Sequence, residues 1–158
     1  MRWLWYFIIY SFCGFLLEVA FARAIRHPKR DRKCLLLLPL CPVYGLGACL
    51  ILWAASWGRG PLWVALAGGA AATAAELLMG AFYRYALGVG SLGGLVCPVF
   101  SVCWTVLALA LVYLVHPAVA ALAALIPLWL VPPVLIILAS DILVSCAALR
   151  RTGTTDVL

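Results

Sequence analysis

The sequence predicts an all-α, polytopic transmembrane helical bundle of about five spans, and three observations carry that prediction. Of its 158 residues 68% are hydrophobic and 10% charged, at a mean hydropathy of +1.18, which is far from the balance of a soluble globular domain. The apolar residues come in runs long enough to cross a hydrocarbon core of about 30 Å as helices. The charges gather between those runs, so the net charge of +6 reports membrane topology rather than a nucleic-acid surface. No nucleic-acid partner is expected, and membrane lipid surrounds the chain.

Residues 3–25 form the first span. Met1-Arg2 ahead of an apolar run has the look of a signal peptide, but Glu18 interrupts the far end of the run, and Trp3, Trp5, Tyr6 and Tyr10 make an interfacial aromatic belt. Cys13 has Tyr10 three positions before it, where a lipidated cysteine has an aliphatic residue. A basic loop follows, with Arg23, Arg26, Lys29, Arg30, Arg32 and Lys33. Pro39 and Pro42 flank Cys41, so the chain should return to the membrane as broken backbone, which is tolerated only under cover of protein or a water-filled cavity. The second span is expected over 42–57, with Gly45 and Gly47 allowing close helix approach, and Trp57-Gly58-Arg59-Gly60-Pro61 forms a tight turn.

The third span, 62–83, carries Glu76 on a face of Thr73, Ala72, Gly69 and Ala65, small enough to pack tightly on another helix. Arg84 ends it, and Gly88, Gly90, Gly93 and Gly94 make a loop without a phosphate-binding pattern. The fourth span is read as 95–115, ending at His116-Pro117 with His116 a boundary residue. An apolar linker over 118–126 follows, then a fifth span over 127–149 closed by Arg150-Arg151. With the first loop inside, nine of the eleven basic residues are cytoplasmic and only Arg2 and Arg59 lie outside. The expectation is one transmembrane domain over 1–151 with a cytoplasmic tail over 152–158, in a bacterial inner membrane, N-terminus out and C-terminus in.

Three carboxylates interrupt the apolar spans: Glu18, Glu76 and Asp141. Each costs about 2.5–3.5 kcal/mol near a bilayer centre, so each needs a partner or water. All three precede cytoplasmic charges and are expected at one depth, lining a cytoplasm-facing pocket that handles a cation, a proton or a polar substrate group. Ser11 shares a helical face with Gly14 and Glu18, and Ser140 and Ser145 add polar wall. The competing account is that Arg23, Arg84 or freed backbone amides tie the acids off and they only hold helices together.

The chain also reads as a tandem pair of two-helix units plus a fifth helix. Glu18 precedes Cys41-Pro42-Val43-Tyr44 by 23 residues and Glu76 precedes Cys97-Pro98-Val99-Phe100 by 21. Seven cysteines at positions 13, 34, 41, 49, 97, 103 and 146 are an odd number, mostly inside apolar runs, and read as buried small hydrophobes rather than a disulfide framework. No cofactor is expected.

Tyr10-Ser11, Gly14-Phe15, Glu18, the leucine-rich stretch, Pro39, Cys41-Pro42-Val43-Tyr44-Gly45 and Gly47 resemble the N-terminal signature of a bacterial integral-membrane family of type IV ABC-transporter permeases. The likeness is close over residues 10–47 and looser through Glu76, Ser101, Trp104, Pro117 and Asp141. Such proteins typically have a further glutamate and a Trp-Asp-Tyr-Ser stretch where this chain has Phe82-Tyr83-Arg84-Tyr85-Ala86, and an asparagine before the fourth helix that has no counterpart here.

The resemblance implies a permease subunit energised by a separate ATPase, since the chain has no nucleotide-binding motif. The residues themselves put Glu18, Glu76, Asp141, Ser11, Tyr44 and Arg84 forward as substrate- or ion-binding candidates. Five helices make a thin wall, so a homo-oligomer is expected, with the small faces around Gly69 and Gly45 as contacts. Three other readings stand beside this one. Cys41 and Cys97 would serve a soft-metal or cation transporter without an ATPase, and a carboxylate pair would serve an intramembrane enzyme. An accessory scaffold would use the acids only for helix register. No hydrolase or metalloprotease pattern favours the enzyme.

Overall fold

The computed structural model describes residues 2–24, 35, 37–86 and 98–152, and every described element is helical. Most of the basic loop (Arg26, Lys29, Arg30, Arg32, Lys33), Cys34, Cys97, the glycine loop at 88–94 and the tail at 153–158 lie outside the described residues. The helices are α1 (Arg2–Ala24), α2 (Pro42–Ala55), α3 (Pro61–Ala81), α4 (Pro98–Ala110), α5 (His116–Leu125) and α6 (Val131–Thr152). A wide π-helical turn at Phe82–Ala86 continues α3, and another at Leu111–Val115 joins α4 to α5 in one rod.

Four stretches among the described residues are long and apolar enough to cross a membrane: Arg2–Ala20, Pro61–Ala81, Val102–Leu125 and Leu128–Arg151. α2 is an apolar helix of 14 residues, about 21 Å at 1.5 Å per residue and short of a full span. The non-helical stretch before it makes up part of the difference. Leu40 and Cys41 are buried there, so broken backbone does enter under the cover of protein, as the prolines around Cys41 suggest.

The fourth span differs from the sequence reading. The helix does not stop at His116-Pro117 but runs on to Leu125, and His116 lies inside the span rather than at its edge. The His116 amide bonds the Leu111 carbonyl five residues back, and this wider turn admits a proline whose ring and missing N–H would otherwise break a regular helix. Pro132 and Pro133 likewise fall in the first turn of α6, where absent donors cost nothing.

α1, α2, α3 and α4 pack antiparallel in succession, and glycines set how closely. A Cβ at Gly45 would overlap the Ser11 hydroxyl and the Phe7 carbonyl, and one at Gly14 would overlap the Tyr44 ring, so α1 and α2 cross in near backbone contact. α3 meets α4 in the same way, with Gly68 on Ala108 and Gly69 on Thr105. Both Gly45 and Gly69 are therefore spent inside the chain, which removes them as contacts between copies. The turn between α2 and α3 forms as expected, with Gly60 at a φ of 89° and the Trp63 indole bonding the Ala54 carbonyl at 3.0 Å.

α1 also packs on the α4–α5 rod, through Tyr10 with Val119 and Trp5 with Ala123, and on the start of α6 through Trp5 with Val131. α6 shows the bundle one stripe, Val131, Leu138, Asp141, Ser145 and Leu149, all buried. Leu149 packs with Met79 near the end of α3. Arg23, Arg84 and Arg150-Arg151 therefore share one end of the bundle, while Arg2 and Arg59 lie at the other.

Candidate functional site

Each of the three intramembrane acids has a named partner among the described residues. Glu18, six residues before the end of α1, accepts a hydrogen bond of 2.7 Å from the Tyr44 hydroxyl, in the first turn of α2. The absence of a side chain at Gly14, one turn before Glu18, lets the Tyr44 ring lie against α1. Glu76, late in α3, accepts 3.0 Å from the Trp104 indole N–H in α4. Gly47, one turn beyond Tyr44, faces Ala75, the residue before Glu76, at ordinary van der Waals distance.

Asp141 is fully buried and differently employed. Its carboxylate accepts from two consecutive backbone amides, Leu37 at 3.0 Å and Leu38 at 2.8 Å, and from the Ser145 hydroxyl at 3.2 Å. Those amides belong to the stretch before α2, where no helix satisfies them, and the Asp141 carboxyl group, itself buried, accepts from both. The Cys41 amide is taken by the Ser11 carbonyl at 3.0 Å. Asp141 acts here as the tether expected of freed backbone amides. Ser140 bonds its own helix at the Ile136 carbonyl, 2.8 Å.

Among the described residues no three of His, Cys, Asp and Glu come close enough to hold a metal ion. Cys41 is disulfide-bonded, which corrects the reading of its sulfur as a thiolate ligand, and its bonding partner lies outside the described residues. Cys13, Cys49, Cys103 and Cys146 are free. Arg84 is exposed, its guanidinium 5.7 Å from the Tyr85 ring centre. The Ser11 hydroxyl is fully buried against Gly45 with no hydrogen-bond partner among the described residues.

The two-helix units repeat in their contacts. In the first, Glu18 meets Tyr44 and the residue seven before it, Ser11, meets Gly45, the residue after the aromatic. In the second, Glu76 meets Trp104 and the residue seven before it, Gly69, meets Thr105, again the residue after the aromatic. One member of each small pair is a glycine and the other carries a hydroxyl. The Cys-Pro-Val-aromatic alignment had set Tyr44 opposite Phe100. The described partner of Glu76, Trp104, lies one turn beyond Phe100, whose side chain is outside the described residues. An aromatic followed by a small or hydroxyl residue, at Tyr44-Gly45 and Trp104-Thr105, was the signal for it.

Residues 5–148 match a family described as "Putative ABC-transporter type IV". The chain belongs to that family. The match spans the paired acids, the broken segment and Asp141. No curated protein and no solved structure matches the chain. At family level the bundle is that of an ABC-transporter permease subunit, a multi-pass membrane protein of the bacterial inner-membrane kind, and membership implies association with an ATPase subunit.

Proposed function

We propose that the chain is a permease subunit whose polar path runs past the two acid–aromatic pairs, Glu18–Tyr44 and Glu76–Trp104, and opens toward the cytoplasm. The observation that carries this is the repeat of one contact pattern in two antiparallel helix pairs of a family member, at the end of the bundle where the basic residues lie. Tyr44, Glu18 and Glu76 bind the polar or cationic group of the substrate, with Ser11 and Arg84 flanking the path. Asp141 keeps the non-helical stretch in place while one helix pair rocks against the other.

The positive-inside rule sets the orientation, N-terminus outside and C-terminus inside, and places the ATPase on the cytoplasmic loops. Five helices enclose little space, so a second copy or another subunit completes the channel. The test is to co-purify the chain with its ATPase from the native membrane and to measure ATP hydrolysis in proteoliposomes with Glu18→Gln and Glu76→Gln. Folded variants with impaired turnover are expected. Absence of any associated ATPase, or full turnover in both variants, overturns the reading.

A further inference from the structure

A second feature lies apart from the acids, on the outward side of α6. A shallow groove of about 390 Å³, wide open to its surroundings, is lined there by Leu143, Cys146, Ala147, Arg150 and Arg151, all on α6, with Cys146 half-buried against Leu149. These residues follow one another at steps of three, one, three and one, a single stripe of helix surface. The stripe changes character along its length: three apolar side chains lie within the candidate span Leu128–Arg151, and two arginines close it. Leu143 is 72% exposed and both arginines are exposed, so the described chain leaves the groove open to its surroundings.

We propose that this groove is a binding site for an anionic phospholipid. The acyl chain lies along Leu143, Cys146 and Ala147, and the headgroup phosphate is held by Arg150 and Arg151. The argument is one of complementarity. Guanidinium groups match phosphate oxygens in geometry as well as charge, and basic clusters at the ends of membrane spans attract anionic headgroups. A free phosphate would satisfy the arginines and leave the apolar part of the groove unused. A zwitterionic lipid would bring its own cation to compete with them. A lipid with an uncompensated negative headgroup uses both ends, and this holds whether or not the acid–aromatic path carries a substrate.

The experiment is native mass spectrometry of the full chain in mild detergent, supplied with equal amounts of phosphatidylglycerol and phosphatidylcholine. Retention of phosphatidylglycerol over phosphatidylcholine by about tenfold or more is expected, as two basic groups near an anionic headgroup imply. The double variant Arg150→Gln, Arg151→Gln should retain the two lipids equally. Ala147→Trp, which fills the apolar part and keeps both charges, should also lose the preference, and it decides the matter if the double variant does not insert. Equal retention by the wild-type chain overturns the proposal, as does a preference that survives in Ala147→Trp or displacement of phosphatidylglycerol by inorganic phosphate.

Discussion

Asp141 shows how one side chain makes an irregular segment possible in a membrane. Two backbone amides at Leu37 and Leu38 have no helical partner, and one carboxylate satisfies both. Asp141→Ala should lower stability by about 1–3 kcal/mol, because it removes the acceptor of two part-buried amides. Asp141→Asn keeps one acceptor oxygen and turns a donor toward the other amide, so it should fall between wild type and alanine. Thermal unfolding in detergent measures both, and an unchanged midpoint in the alanine variant would remove the tethering role. Gly45 and Gly47 give a sharper contrast. A methyl at Gly45 meets the Phe7 backbone and the Ser11 hydroxyl, and overpacking of that kind costs about 1–3 kcal/mol. At Gly47 the nearest atom is the Ala75 methyl at 3.9 Å, so Gly47→Ala should be neutral or slightly stabilising through helix propensity. Equal losses at the two positions would contradict the close crossing of α1 and α2. The sequence marked these residues because charged and glycine positions stand out in apolar runs; that Asp141 holds backbone while the glutamates hold aromatic donors depended on which helix each one faced.

Among the elements, α6 and the α4–α5 rod show what periodicity does and does not say. α6 buries Leu138 and Asp141 on one stripe and exposes Ile136 to the opposite side. Leu138→Ala should therefore destabilise by about 2–5 kcal/mol, as buried Leu→Ala changes do. Ile136→Ala should shift stability by about 0.5 kcal/mol or less, the range of exposed substitutions. The same detergent unfolding assay separates them, and a reversal would mean that α6 is rotated. In the rod, Pro117 reads as a stop in any local rule. The i→i+5 turn before it absorbs the proline, and Tyr10 bonds the His116 ring at 3.2 Å while Tyr6 packs edge-on at 5.0 Å between ring centres. Those contacts come from α1, over a hundred residues away in sequence, which is why the continuity of the rod was not legible locally.

For the molecule as a whole, α2 and α3 are joined by a short turn and packed along their lengths, so the two helix pairs form one body. A chain cut within 58–60 and expressed as two halves should reassemble, with each half recovered on a tag carried by the other; halves that purify separately would show that the turn rather than the packing holds the pairs together. Composition and run length alone determined that the chain is a helical membrane bundle, since a bilayer admits few ways to satisfy a backbone and the apolar runs match its thickness. The acids, the broken stretch at Pro39–Pro42 and the duplicated unit were also visible there, because each departs from an otherwise apolar pattern. The tertiary structure decided which groups meet: Glu18 with Tyr44, Glu76 with Trp104, Asp141 with the amides of Leu37 and Leu38, and Cys41 withdrawn into a disulfide. The physical reason is that a helix repeats every 3.6 residues, so sequence tells which side chains share a face, whereas the sliding and rotation of one helix on another are set by long-range packing and can move a partner by a whole turn.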